Sequence, residues 1–244
     1  MLRFFRKIRQ KLLSESRLSK PVSPIGRYLI YAFGEIFLVV IGILIALQVN
    51  NWNEWKKERL KEQDVLIELV ENLEINLKTI IIDIENLQLL DKSSEIVLSY
   101  IYNKRPYVDS LALHFHLARI PKQELFLSQI GYEGYKDIGL QILPNKALKN
   151  QVLTLFETTY PSFFSNYNMV NGFNPDFDNH IVQNFIYSGK RLVPIAYPEI
   201  LTDHYYLSWI RAYKEGRYTL IQSEEALLED IQEVLELLKK ELNS

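Results

Sequence analysis

Residues Tyr28 to Leu47 read YLIYAFGEIFLVVIGILIAL, twenty positions with a single charge, Glu35. At 1.5 Å per residue a helix of that length spans about 30 Å, the thickness of a bilayer's hydrocarbon core. Tyr28 and Tyr31 stand at one end, and Trp52 and Trp55 lie just past the other, where interfacial aromatics belong. A buried core helix is the alternative, but core helices seldom run so far with so little polarity. The pattern predicts a transmembrane helix over residues 28–49.

The flanks orient it. Residues 1–27 hold eight bases, among them Arg3, Arg6 and Lys7, against one acid, Glu15. The stretch from Asn50 to Asp64 holds four bases and four acids. The positive-inside bias therefore places the N-terminus in the cytoplasm and the larger C-terminal part across the membrane. A cleaved signal peptide would show a shorter apolar core and small residues at its exit, whereas ALQVNNWNEW has no A-x-A pattern. The reading is an uncleaved signal-anchor, single-pass, with residues 50–244 as an extracytoplasmic domain.

Residues 1–27 are the basic cytoplasmic tail. Within MLRFFRKIRQKLL, Phe5, Ile8 and Leu12 share one helical face, and Arg3, Arg6, Lys7 and Lys11 fill much of the rest. Two readings stand side by side: a short helix lying among lipid headgroups, or a disordered segment that only sets topology. So close to a span, the bases meet membrane lipid and not nucleic acid. The whole chain carries a net charge of −2, but that average joins a basic tail to an acidic body. The absence of cysteine excludes a disulfide scaffold, a thiolate metal site and a cysteine nucleophile.

Beyond the span, no proline or glycine occurs between Gly42 and Pro106, so the helix can continue outward. Leu66, Leu69, Leu73, Leu77, Ile80, Ile84 and Leu87 recur three or four apart, with a potential break at residues 91–94. Leu227, Ile231, Val234, Leu238 and Leu242 form a second stripe near the other end, with an N-cap predicted at Ser223. Two such helices most simply pack on one another. Between them, prolines at 121, 144, 161, 175, 194 and 198 punctuate shorter segments, including helical stripes over 145–160 and 176–187. With no hairpin signal between strands, the predicted fold is all-α: a transmembrane helix continuing into a long amphipathic helix, with an extracytoplasmic helical domain.

FFRKIRQKLL (4–13), GEIFLVVIGILIALQVNNWNE (34–54) and, more loosely, IGYEGYKDIG…NKALKNQVLTLFE (130–157) resemble a bacterial family of single-pass membrane proteins of unknown function. The resemblance implies a membrane anchor and a helical body, and no particular reaction; in a bacterial cell the orientation read from the flanks makes the membrane the cytoplasmic (inner) one and the body periplasmic.

The residues that could carry chemistry are few. His114 and His116 would share a face on a strand, but in the predicted helix DSLALHFHLAR they point about 200° apart. Asn174-Pro175-Asp176-Phe177-Asp178-Asn179-His180 gathers two carboxylates and an imidazole, yet lacks the glycine and distal glutamate of a calcium loop, and reads as a helix entry. Gly131-Tyr132-Glu133-Gly134 has no lysine and follows no strand, so it is no phosphate loop. G-x-S-x-G and H-E-x-x-H are absent, and the aromatics of residues 160–167 read as core. Neither catalytic residues, nor a metal, nor a cofactor are expected.

Glu35 stands apart. Gly42 and Ala46, seven and eleven residues on, fall on its face and form a small-xxx-small pair that permits close helix approach. The face reads as a span-packing surface for a second copy or a partner membrane protein. A register starting at Ile36 would instead leave Glu35 at the headgroups. Together these features describe a non-enzymatic envelope scaffold that oligomerises through its span. A sensory or ligand-binding module, signalling through a partner protein, is the alternative.

Overall fold

A computed structural model of the chain describes residues 24–170 and 172–243. The chain divides into two units, one ending at Lys57 and one of Glu58–Ser244. A single helix, α1 (Pro24–Tyr102), contributes to both. Its length follows from the uninterrupted run without glycine or proline after Gly42. In the first unit it is long and apolar enough to cross a membrane, with none of that apolar stretch buried in protein.

Residues 91–94 do not break α1. Ser93 and Ser94 turn their hydroxyls back to the carbonyls of Leu89 and Leu90, four residues earlier, the bond by which a serine is accommodated inside a helix. The helix ends in a left-handed residue, Lys104 at φ 47°. Arg105 N–H donates to the Tyr100 carbonyl and Lys104 N–H to that of Ile101, the paired bonds of a Schellman motif. Pro106 then prevents resumption.

The second unit is all-α apart from one small hairpin. Its elements are α2 (Leu111–Ala118), α3 (Ile130–Ile138), a 3₁₀ turn (Leu140–Ile142), α4 (Lys146–Thr154), a π turn (Leu155–Thr159), α5 (Tyr160–Met169), α6 (Pro175–Asn184), β1 (Phe185–Tyr187), β2 (Leu192–Pro194), α7 (Tyr197–Ile200) and α8 (His204–Leu242). Pro161 does not end its helix as the sequence suggested. It lacks an N–H and crowds the carbonyl four residues back, and the wider π turn just before it takes up the misfit, with Tyr160 N–H reaching Leu155 O.

Two further expectations are corrected. The stripe over 176–187 stops at Asn184, and Phe185 opens an antiparallel hairpin, paired Phe185 with Pro194 and Tyr187 with Leu192. Gly189 at φ 62° lets the chain reverse between the strands. The last helix begins at His204 and not after Ser223. Asp203 caps it, accepting from Tyr206 N–H at 2.9 Å, while Ser223 sits mid-helix and bonds back to the Thr219 carbonyl.

The two predicted stripes do pack together. Leu66, Leu69, Leu73, Ile80 and Leu87 of α1 share a core with Leu220, Leu227, Ile231, Val234 and Leu238 of α8. Polar pairs fix the direction. Glu74 meets Lys239 at 2.7 Å, Asp91 meets Lys214 at 2.8 Å, and Tyr102 meets Arg211, so the number rises on one helix as it falls on the other. The helices are antiparallel. A second, aromatic core lies toward the end of α1, where Val97 and Ile101 join Phe115, Phe177, Phe185, Tyr206 and Tyr213. In the first core, Tyr132 of α3 stacks on Phe156 with centroids 4.4 Å apart.

Glycine decides how closely α3 approaches α1. A Cβ at Gly131 would lie 2.7 Å from the Glu68 carbonyl oxygen and 3.0 Å from Asn72 Cβ. Only a residue without a side chain fits that backbone contact. Gly139, at φ 113°, ends α3 in a conformation open to glycine.

Candidate functional site

The residues singled out in the sequence fall into an exposed set and a buried one. In the first unit, the 3.6-residue period brings Glu35, Gly42 and Ala46 within about 40° of one another on α1. All three are exposed, and a Cβ on Gly42 would meet nothing within 4 Å. Around them Ile36, Phe37, Val39, Ile43, Leu44, Leu47 and Val49 are exposed as well. Trp52 and Trp55 are each more than 60% exposed, and the Lys56 ammonium lies 5.9 Å over the Trp52 ring. Tyr28 is exposed. Tyr31 lies on the helix, but its side chain, like Arg3, Arg6 and Lys7, is outside the described residues.

The polar clusters of the body are occupied by structural work. Asn174 caps α6, its side-chain Oδ1 accepting from Asp176 N–H and Phe177 N–H at 3.0 Å each, with Pro175 at the first helical position. Asp178 pairs with Arg119 at 2.8 Å. His180 Nε2 lies 2.5 Å from Asp203 Oδ2, on the same carboxylate that caps α8. His114 meets the Ser93 hydroxyl at 3.2 Å, and burial lowers its pKa. His116 is lowered by burial first and then by Arg119 and Lys190. Among the described residues no three of His, Asp and Glu gather as a metal ion would require.

Tyr160, Phe163 and Tyr167 of the 160–167 stretch are buried in the first core. Two hollows lie elsewhere. One is a shallow strip along a single helix, from Ile41 to Trp52. The other is open and lies beside the hairpin turn, between Asp109, Ser110 and His114 on one side and Lys190 and Arg191 on the other. Arg191 there is already paired with Asp109.

The buried polar residues between α1 and its neighbours escaped the sequence reading. Asn76, wholly buried, donates from Nδ2 to the Ser128 carbonyl at 2.8 Å and accepts from Ser128 N–H at 2.8 Å. The same Nδ2 lies 3.0 Å from the Tyr160 hydroxyl. One side chain thus completes the backbone bonding of a segment with no secondary structure. Arg217, also wholly buried, donates to Ser94 Oγ at 2.5 Å and to the Ile120 carbonyl at 2.7 Å. Burial pushes its guanidinium down to about 10, with Asp91 acting in opposition, so it is still charged at neutral pH. Asp83 and Glu224 face each other between the same helices. A usable signal existed: Asp83 sits three residues after Ile80 and four before Leu87, and Glu224 lies likewise between Leu220 and Leu227. An acid on a core stripe is a buried acid.

The exposed surface is therefore one apolar helix with a carboxylate and two small residues on one face, and the body is a packed helical frame. No curated protein and no solved structure matches the chain. Residues 35–107, running from Glu35 through the remainder of α1 to the loop after it, match a family of unknown function (DUF6090).

Proposed function

We propose that this protein is a single-pass anchor in the bacterial cytoplasmic membrane, with its N-terminus in the cytoplasm and its helical body in the periplasm. It acts by holding partner membrane proteins or further copies of itself, and catalyses no reaction. The observation that carries the reading is the exposed apolar surface of α1 from Phe33 to Trp52. Apolar patches on soluble proteins seldom exceed a few hundred Å², and a helix apolar on every side belongs in lipid. The orientation rests on the basic excess of residues 1–27.

Two features favour an interaction role over a receptor. The aromatic residues that could have lined a ligand pocket are packed as core. The body part of α1 carries a second, exposed apolar row, Leu60, Ile67, Ile75, Ile82 and Leu89, in addition to its buried stripe.

Protease added to intact spheroplasts tests the topology: it should remove the body and spare a fragment containing Met1–Leu47. Digestion of the tail with protection of the body would overturn it. Chemical crosslinking in membranes, followed by capture of the tagged full chain, should recover a second copy or a membrane protein. Recovery of single chains only would remove the scaffold reading and leave a bare anchor.

A further inference from the structure

Asp83 and Glu224 meet midway along the pairing of α1 and α8, 7% and 0% exposed. Neither forms an ion pair among the described residues, and Asp83 Oδ2 and both Glu224 carboxyl oxygens find no other hydrogen-bond donor. Apolar neighbours flank them along both helices: Ile80 and Leu87 on one, Leu220 and Leu227 on the other. From α5, Tyr167 brings its phenol into the electrostatic reach of both acids. Its hydroxyl is already donated to the Gln123 carbonyl. The segment before α3 brings Glu124 and Lys122 to Tyr167, and the Lys122 ammonium donates to the Tyr167 carbonyl, 4.0 Å from the ring centroid. The acids are left with each other.

Two ionised carboxylates have no proton between them and repel. With one proton, one carboxyl donates to the other and a single buried charge is shared. We propose that Asp83 and Glu224 form a proton-operated clasp between the two long helices, closed by one shared proton and opened by its loss as pH rises. The clasp does not depend on the membrane reading.

The direction of titration agrees with the geometry. Burial raises Glu224 first, and the Asp83 charge and hydrogen bond raise it further. Burial raises Asp83, with the bond to Glu224 partly opposing. In the unfolded chain both acids lose their protons at about pH 4. Above that, the folded state holds a proton that the unfolded state has released, so stability falls as pH climbs. Other shifted groups behave differently. His114 and His116, lowered by burial, hold a proton less readily when folded than when unfolded, which gives a slope of the opposite sign below about pH 6.5. The raised tyrosines act only above about pH 10.

The test is denaturant unfolding of the full chain in detergent micelles, followed by helical circular dichroism between pH 5 and pH 9. The unfolded-to-folded ratio of the parent should rise with pH, by up to about tenfold per unit for one proton. Glu224→Gln and Asp83→Asn, which remove one titrating group and keep its shape, should each flatten that rise. An unchanged slope in both variants, or a parent whose stability rises with pH throughout, would overturn the clasp. If neither variant folds, hydrogen exchange of the parent decides, after correction for the intrinsic pH dependence of exchange. Protection over residues 217–231 should fall between pH 6 and pH 8.5, and constant protection would sink the proposal.

Discussion

One helix carries two different chemistries, and the contrast between its parts is instructive. In the first unit, apolar side chains point in every direction around α1 and are exposed, from Ile36 and Phe37 to Val49. In the second unit the same helix is sorted by angle. Leu66, Leu69, Leu73, Ile80 and Leu87 are buried on one face, while Glu71, Lys78, Glu85 and Lys92 are exposed. Polar residues follow the same division. Glu35 is exposed, with no hydrogen bond or ion pair among the described residues, whereas the buried Asn76 and Ser94 are matched to particular groups on other elements. Hydrophobic content alone does not separate a span from a core helix; the angular distribution of that content does.

That contrast can be broken at either end. The largest effect should come from Ile231→Asp, which sets an unpartnered carboxylate in the seam that buries the sorted face of α1. It should cost several kcal/mol, comparable with a domain's whole stability, and abolish cooperative unfolding of the body. A melt like the parent's would mean that the stripe is not a core.

Asn76→Ala should follow. It strands the Ser128 N–H and carbonyl inside the body, at about 2–3 kcal/mol for the lost pair. Urea denaturation should show a lower midpoint with an unchanged slope, and an unmoved midpoint would mean that water replaces the side chain.

The smallest effect belongs to the span. Gly42→Ile should weaken span association in a membrane crosslinking assay by holding helices apart. Glu35→Gln should weaken it only slightly, since interhelical polar contacts in lipid average about 0.6 kcal/mol. With Ile43→Leu as the control, equal association in all three variants would show that this face touches only lipid. None of the three should shift the unfolding of the body.

Much of the frame was legible because it is periodic. The long helix, the stripes through Leu69 and Ile231, the asparagine entry at residue 174 and the helical setting of His114 and His116 all follow from local spacing. The failures share a different cause. Ser223 with Glu224 and Glu225 has the form of a helix start, but the core already holds Tyr206, Ile210 and Tyr213 in helix before it, and packing overrides a local cap signal. The hairpin after Asn184 turns at Gly189-Lys190, closed by Ser188 N–H donating to the Arg191 carbonyl, and Gly-Lys lacks the Asn-Gly signature that marks such turns most strongly. Gly131 is explained only by the Glu68 backbone, far away in sequence. Asp83 and Glu224 each read as a buried acid from the stripe it stands on, but their meeting across α1 and α8 is not a local signal.

Arg217 has a consequence for alignment. Two stripes of leucine and isoleucine would tolerate sliding by a helical turn, since one aliphatic knob resembles the next. A guanidinium bound to Ser94 and to the Ile120 carbonyl does not tolerate it. Shifted by a turn, about 5.4 Å, the cation would face leucine side chains with no acceptor. Aliphatic surfaces thus bring α1 and α8 together, while one buried cation makes a single vernier position the only one that closes, and with it fixes which aromatic residues meet at the far end of the body.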